Sequence, residues 1–137
     1  MPRLYRESPL NSIWEGSGNV ICLDVLRAMA RSPESVGVFF DEIQLASGEH
    51  RLDSFVKELK EDLAAGEALE GRARRIVERM ALAFQASLLL RHGDPAVGDA
   101  FVASRLNGDR GLAFGTLPST SDFARIIERA RPRIPEN

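Results

Sequence analysis

The sequence is poor in the residues that build covalent or metal-linked scaffolds. Cys22 is its single cysteine, so no internal disulfide can form. It lies in an apolar run, which favours a small buried thiol over a reactive one. A lone cysteine fits a reducing, cytoplasmic setting. His50 and His92 are the only two histidines. They are far apart and have no partner at ligand spacing, so no metal site is expected. Long apolar runs are absent too. Pro2, Arg3, Arg6 and Glu7 interrupt the N-terminus, which excludes a signal core there. The richest apolar run, residues 80–90, is too short to span a bilayer and contains Gln85 and Ser87, so no membrane partner is expected. An excess of one charge is also lacking. The net charge of −2 gives no global attraction to nucleic acid or anionic lipid, and any such binding needs a local patch. No Ser-His-Asp set, Walker loop or complete dinucleotide fingerprint occurs, and Gly16-Ser17-Gly18 is too short to count as one.

What is present suits one ordered domain. The chain has 137 residues, of which 44% are hydrophobic and 28% charged, enough for a core and an ordinary soluble surface. Residues 1–18 carry Pro2, Pro9, Asn11, Ser12 and Gly16 without helical period, and read as an extended arm. Leu4, Tyr5, Leu10, Ile13 and Trp14 are many large apolar groups for a free tail, so the arm is expected to lie on another surface. From about Asn19 the pattern is helical to about Arg131, and residues 132–137 form a frayed tail.

The first helix, capped by Gly18 or Asn19, is apolar on most of its circumference, which predicts burial in a larger assembly. Ser32 and Pro33 start a second helix with Val36, Phe39, Phe40 and Ile43 inward, ending at Gly48. Leu52, Phe55, Val56, Leu59 and Leu63 predict an amphipathic helix closed by Gly66. The longest helix is expected over about Glu67 to Arg91. Its charged first half suggests a wet rim and its apolar second half the core. Asp94 caps a short helix, 107–111 forms a loop, and 119–121 caps a last helix with Phe123, Ile126, Ile127 and Ala130 on one face. The expected fold is all-α, a bundle of about six helices preceded by the extended arm.

One stretch carries the candidate chemistry. Glu15 stands between Trp14, the only tryptophan, and an apolar helix. A glutamate before a glycine is ordinarily a solvated loop residue. Partial desolvation in such a position raises a carboxylate toward a useful base. Gly16 and Gly18 allow close backbone approach to a ligand, while Ser17, Asn19 and the helix start supply donors suited to an anionic or ribose-bearing group.

The run RLYRESPLNSIWEGSGNVICLDVL, Arg3 to Leu26, resembles the C-terminal region of acyl-CoA dehydrogenases, in the AidB-like adaptive-response branch. Its Glu-Gly-Ser turn before a long helix is similar to the family's catalytic-loop signature. The remainder, to about Arg131, resembles the extra helical domain of that branch. The resemblance implies that Glu15 matches the base taking the α-proton of an acyl-CoA thioester, with FAD accepting the β-hydride. It implies flavin contacts at Trp14, Gly16, Ser17 and Asn19. Members of the family also have an N-terminal helical domain, a middle β-domain and earlier bundle helices, none of which lies in these residues. The chain is therefore expected to be the tail of such an enzyme, whose other domains are its partners. It should be inactive and without bound FAD by itself. Family members associate through C-terminal helices, so a homo-oligomer is expected.

The arginines offer a second possibility. Arg72, Arg75 and Arg79 share roughly one helix face, with Arg74 flanking and Arg27 on the polar stripe of the first helix. Such a stripe can contact phosphates, and AidB-like relatives are associated with double-stranded DNA. The same stripe, interleaved with Glu70 and Glu78, also reads as a solvated, self-paired face.

Overall fold

Proline and glycine set the helix boundaries in the computed structural model, which describes residues 2–14, 16–64, 69–108 and 115–132. Among the described residues seven α-helices form: α1 Pro2–Glu7, α2 Gly18–Arg31, α3 Glu34–Gln44, α4 His50–Ala64, α5 Ala73–His92, α6 Pro95–Arg105 and α7 Phe123–Ala130. Short 3-10 turns span Ser8–Ser12 and Leu69–Arg72. No strand occurs among the described residues. The all-α expectation holds, with α2–α7 as the six helices of the bundle.

The N-terminal arm departs from the extended form expected for it. Local bonds coil it instead. Arg3 pairs with Glu7 one turn on at 2.9 Å, and the Ser8 and Ser12 hydroxyls donate back to the carbonyls of Tyr5 and Pro9. Pro9 has a fixed φ that already suits a helical turn. The sequence hides this because proline punctuation also suits an extended chain. The coil gains no shelter from the bundle. Leu4, Tyr5, Leu10, Ile13 and Trp14 are 55–81% exposed.

α5 is the axis, packing against α2, α3, α4 and α6. Its charged and apolar halves do not separate a wet rim from a core, as the sequence suggested. One buried stripe runs its whole length through Ala73, Ile76, Met80, Ala83, Ala86 and Ser87. From Ala73 to Ala86 the spacing is three or four residues, so a helix puts these on one face, with Ser87 beside Ala86. The stripe is mostly small residues, which lets neighbouring helices come close. Gly98 on α6 sits against it, where an added Cβ would lie 3.4 Å from the Leu89 carbonyl oxygen. Phe84 and Leu88 remain 38% and 36% exposed on the other side. Within the core Ile43, Leu52, Leu59, Ile76 and Val102 are almost wholly buried. The long helix also starts later than expected. Leu69–Arg72 is a 3-10 turn containing Gly71, a residue that weakens an α-helical turn. Gly66 and Glu67 lie outside the described residues.

Ion pairs staple the bundle from outside. Arg51 at the start of α4 donates to Glu49 at 2.8 Å and to Asp99 of α6 at 2.7 Å. The Arg51 hydrogen bond, acting against burial, holds the Glu49 carboxyl down at about 2, and raises Arg51 in turn. Arg91 of α5 pairs with Glu42 of α3. Asp94 caps α6 by accepting from the Ala96 amide at 2.9 Å, as expected, and also meets Arg125 of α7. Burial raises the Asp94 carboxyl, but the Ala96 amide and Arg125 together outweigh it and lower the group. The cap of α7 is Asp122, accepting from the Arg125 amide at 3.0 Å, not a residue of 119–121. No residue of α7 is buried, and Phe123 and Ile127 are 46% and 61% exposed.

Candidate functional site

The join between arm and bundle is built by a tight turn. The Trp14 amide donates to the Leu10 carbonyl and the Gly16 amide to the Ile13 carbonyl, each at 3.1 Å. Gly16 then takes a φ of +114°, a conformation that side-chain-bearing residues rarely adopt. Ser17 turns extended and becomes the N-cap of α2, and its carbonyl accepts the first helical bond from Ile21 at 3.1 Å. The cap is therefore one residue earlier than Gly18 and two earlier than Asn19. The Ser17 side chain makes no capping hydrogen bond, so its hydroxyl is not consumed by the helix.

Glu15, the expected base, lies outside the described residues. The residues expected to contact a flavin flank it. Trp14 is 64% exposed, Ser17 and Asn19 are exposed, and Gly16 is half-buried. They adjoin one another at the start of α2, but the described chain folds no wall over them. A groove of about 630 Å³ opens between α3 and α4, with Ile43, Leu52 and Val56 as its floor. Lys57, Lys60, Asp53 and Glu61 rim it, and none of the expected site residues lines it. α2 itself has no buried residue, with Val20 and Ile21 47% and 43% exposed. Its other side, through Val25 and Met29, packs on the core.

The arginines divide. Arg72 pairs with Asp62 of α4 at 2.6 Å. Arg79, 14% exposed, pairs with Glu58 at 2.9 Å, approaches Asp62 at 3.3 Å and stacks its guanidinium 4.6 Å over the Phe55 ring. Both are thus turned onto α4 and away from a common outward face. Arg27 pairs with Asp24 on its own helix, and Arg75 is exposed. The sequence did contain a signal for this. Glu58 and Asp62, four apart on α4, form an acidic row that suits Arg72 at the end of the following 3-10 turn and Arg79 on α5. Arg74, which the sequence placed only as a flanking residue, reaches instead to α2, where its Nη1 donates to Asn19 Oδ1 at 3.2 Å. Nothing in local spacing signals a contact across 55 residues.

Among the described residues no three His, Cys, Asp or Glu side chains gather as metal ligands, and no helix is long and apolar enough to cross a membrane.

Comparison with known proteins yields one curated relative. Over 113 residues the chain is 33% identical to a protein of Escherichia coli (strain K12) named "Putative acyl-CoA dehydrogenase AidB". The match covers 82% of this chain and 20% of that protein, so the chain spans about a fifth of its relative's length. No family model matches, and no solved structure matches. Over most of its length the chain is thus similar to part of a protein named as an acyl-CoA dehydrogenase, in keeping with the resemblance carried by residues 3–26.

Proposed function

We propose that this chain is the C-terminal helical portion of an AidB-type, FAD-dependent acyl-CoA dehydrogenase, and that alone it is inactive. The observation that carries this reading is the exposure of the arm and of the outer face of α2. Seven large apolar side chains, from Leu4 to Ile21, stand in solvent beside the turn that resembles the family's catalytic loop. Burying one such side chain is worth about 1.5–3 kcal/mol, so a stretch of this kind favours a covering surface. The missing domains of the same enzyme would supply that surface and the other wall of the pocket.

In this reading Glu15 removes the α-proton of an acyl-CoA thioester. FAD, when bound, supplies the acceptor for the β-hydride. The turn fits that cofactor in its chemistry: Gly16, without a side chain, allows close backbone approach, and the Ser17 hydroxyl and Asn19 carboxamide offer donors at a helix start. Trp14 supplies an apolar face beside them. The exposed surface also supports self-association of the chain in the cytoplasm.

The test joins this chain to the preceding domains of an AidB-type dehydrogenase. The joined protein is expected to retain FAD and reduce a dye in the presence of acyl-CoA. Glu15→Gln should keep the flavin and lose about 10²–10⁴-fold in turnover. A joined protein that folds yet holds no flavin sinks the reading. Flavin and turnover in the isolated chain would overturn its inactivity, and a clean monomer by light scattering would overturn self-association. For the second reading, as a DNA-binding module, the structure offers less. Arg72 and Arg79 are committed to α4 carboxylates, which leaves a weaker phosphate-facing stripe.

A further inference from the structure

We infer that Arg74 is a positioning residue for the Gly16–Asn19 turn, fixing the Asn19 carboxamide so that its NH2 end faces a ligand. What the turn binds rests on the flavin-loop reading above; how the turn is held does not.

Arg74 stands in the first turn of α5, the helix that contacts four others. Its Nη1 donates to Asn19 Oδ1 at 3.2 Å, and its Nη2 lies 3.5 Å from where a Cβ on Gly18 would sit. The guanidinium therefore covers the start of α2. An unrestrained asparagine can present either its oxygen or its nitrogen. Arginine carries donors only, so it accepts just one of the two orientations, with the oxygen toward itself. The two NH2 donors are then left for an acceptor-bearing ligand, such as the carbonyl and phosphate oxygens of a flavin dinucleotide.

The charge arrangement supports the same role. A cation beside a helix N-terminus meets the positive end of the helix dipole, which is unfavourable. The Asn19 oxygen accepts from the guanidinium, and that hydrogen bond offsets the repulsion. Ser17 makes no side-chain cap of its own, and the neighbouring 3-10 turn, Leu69–Arg72, also packs on α2. The turn is thus tied to the bundle from the α5 side, while its other side stays open.

The test uses the isolated chain and needs no flavin. Amide hydrogen exchange is followed at Ile21, whose amide makes the first bond of α2. Side-chain NH2 resonances of Asn19 are recorded in parallel. Arg74→Gln, which can present either end of its own amide, should lower Ile21 protection roughly three- to tenfold. It should also shift or broaden the Asn19 NH2 pair. Arg74→Lys, again a donor-only side chain, should recover at least half of both effects, and Lys57→Gln on α4 should change neither. Unchanged protection in Arg74→Gln overturns the inference. So does a fall spread evenly over α2 and α5, which would mark general loosening. FAD retention by the joined protein tests the flavin-loop reading separately, so either idea can fail alone.

Discussion

Leu59 and Leu10 are the same residue in opposite circumstances: the first is 0% exposed between α4 and α5, the second 55% exposed on the arm. The contrast extends to whole regions. Among the described residues, 2–31 hold two helices and no buried residue, whereas α3–α6 hold the buried core. Both regions are rich in large apolar groups. The difference is that α5 gives α3, α4 and α6 a common partner, while among the described residues the large apolar groups of the arm and of the start of α2 stay exposed. A bundle that is closed on one side and open on the other suits a piece of a larger fold.

That contrast is sharpest in stability. Leu59→Ala should cost about 2–5 kcal/mol in urea unfolding, because it leaves a cavity where packing is tight. Leu10→Ala should stay within about 0.5 kcal/mol. Equal losses would show that the arm folds onto the bundle in solution. Arginine partners should repeat the pattern at smaller scale. Arg79→Ala removes a mostly buried guanidinium from Glu58, Asp62 and the Phe55 ring, and should cost about 1–2 kcal/mol. Arg27→Ala, at an exposed pair within one helix, should change little by the same measurement.

Acid should act first on the closed side. Glu49 has its carboxyl pushed from 4.5 down to about 2 in the folded chain. A lowered folded value means that the contribution is complete above pH 4.5 and is lost as the pH falls toward 2. Unfolding midpoints followed between pH 6 and pH 2 should therefore drop through that window, and Arg51→Gln should flatten the drop. The smallest effect belongs to the C-terminal end. Removing residues 119–137 takes away α7, which buries nothing, and should move the thermal midpoint by less than about 3 °C. A larger fall would show that the Asp94–Arg125 pair anchors more than one helix end.

Much of the bundle was legible because helix periodicity and stop signals are local. The α3 and α4 core residues and the Asp94 cap stand as the sequence suggests, whereas α3 ends at Gln44, short of the Gly48 expected to stop it. The coil of residues 2–12 was not legible, because proline punctuation fits an extended arm and a short helical turn alike. Burial along α5 was misread by halves, since charged residues at one end masked the stripe of alanines facing inward. In the candidate site the turn at Gly16 could be anticipated from glycine placement. The pairing of Arg72 and Arg79 with α4 required knowing which helices are neighbours.

The sequence alone determined the helical class, the Asp94 cap of α6, and the resemblance of residues 3–26 to a dehydrogenase catalytic loop. These depend on the order of residues within a turn or two of one another. Only the tertiary structure decided which apolar faces find partners, which arginines are tied to carboxylates, and that Arg74 holds the start of α2. Those outcomes depend on contacts between residues ten to fifty-five apart, and local patterns carry no record of distance in space.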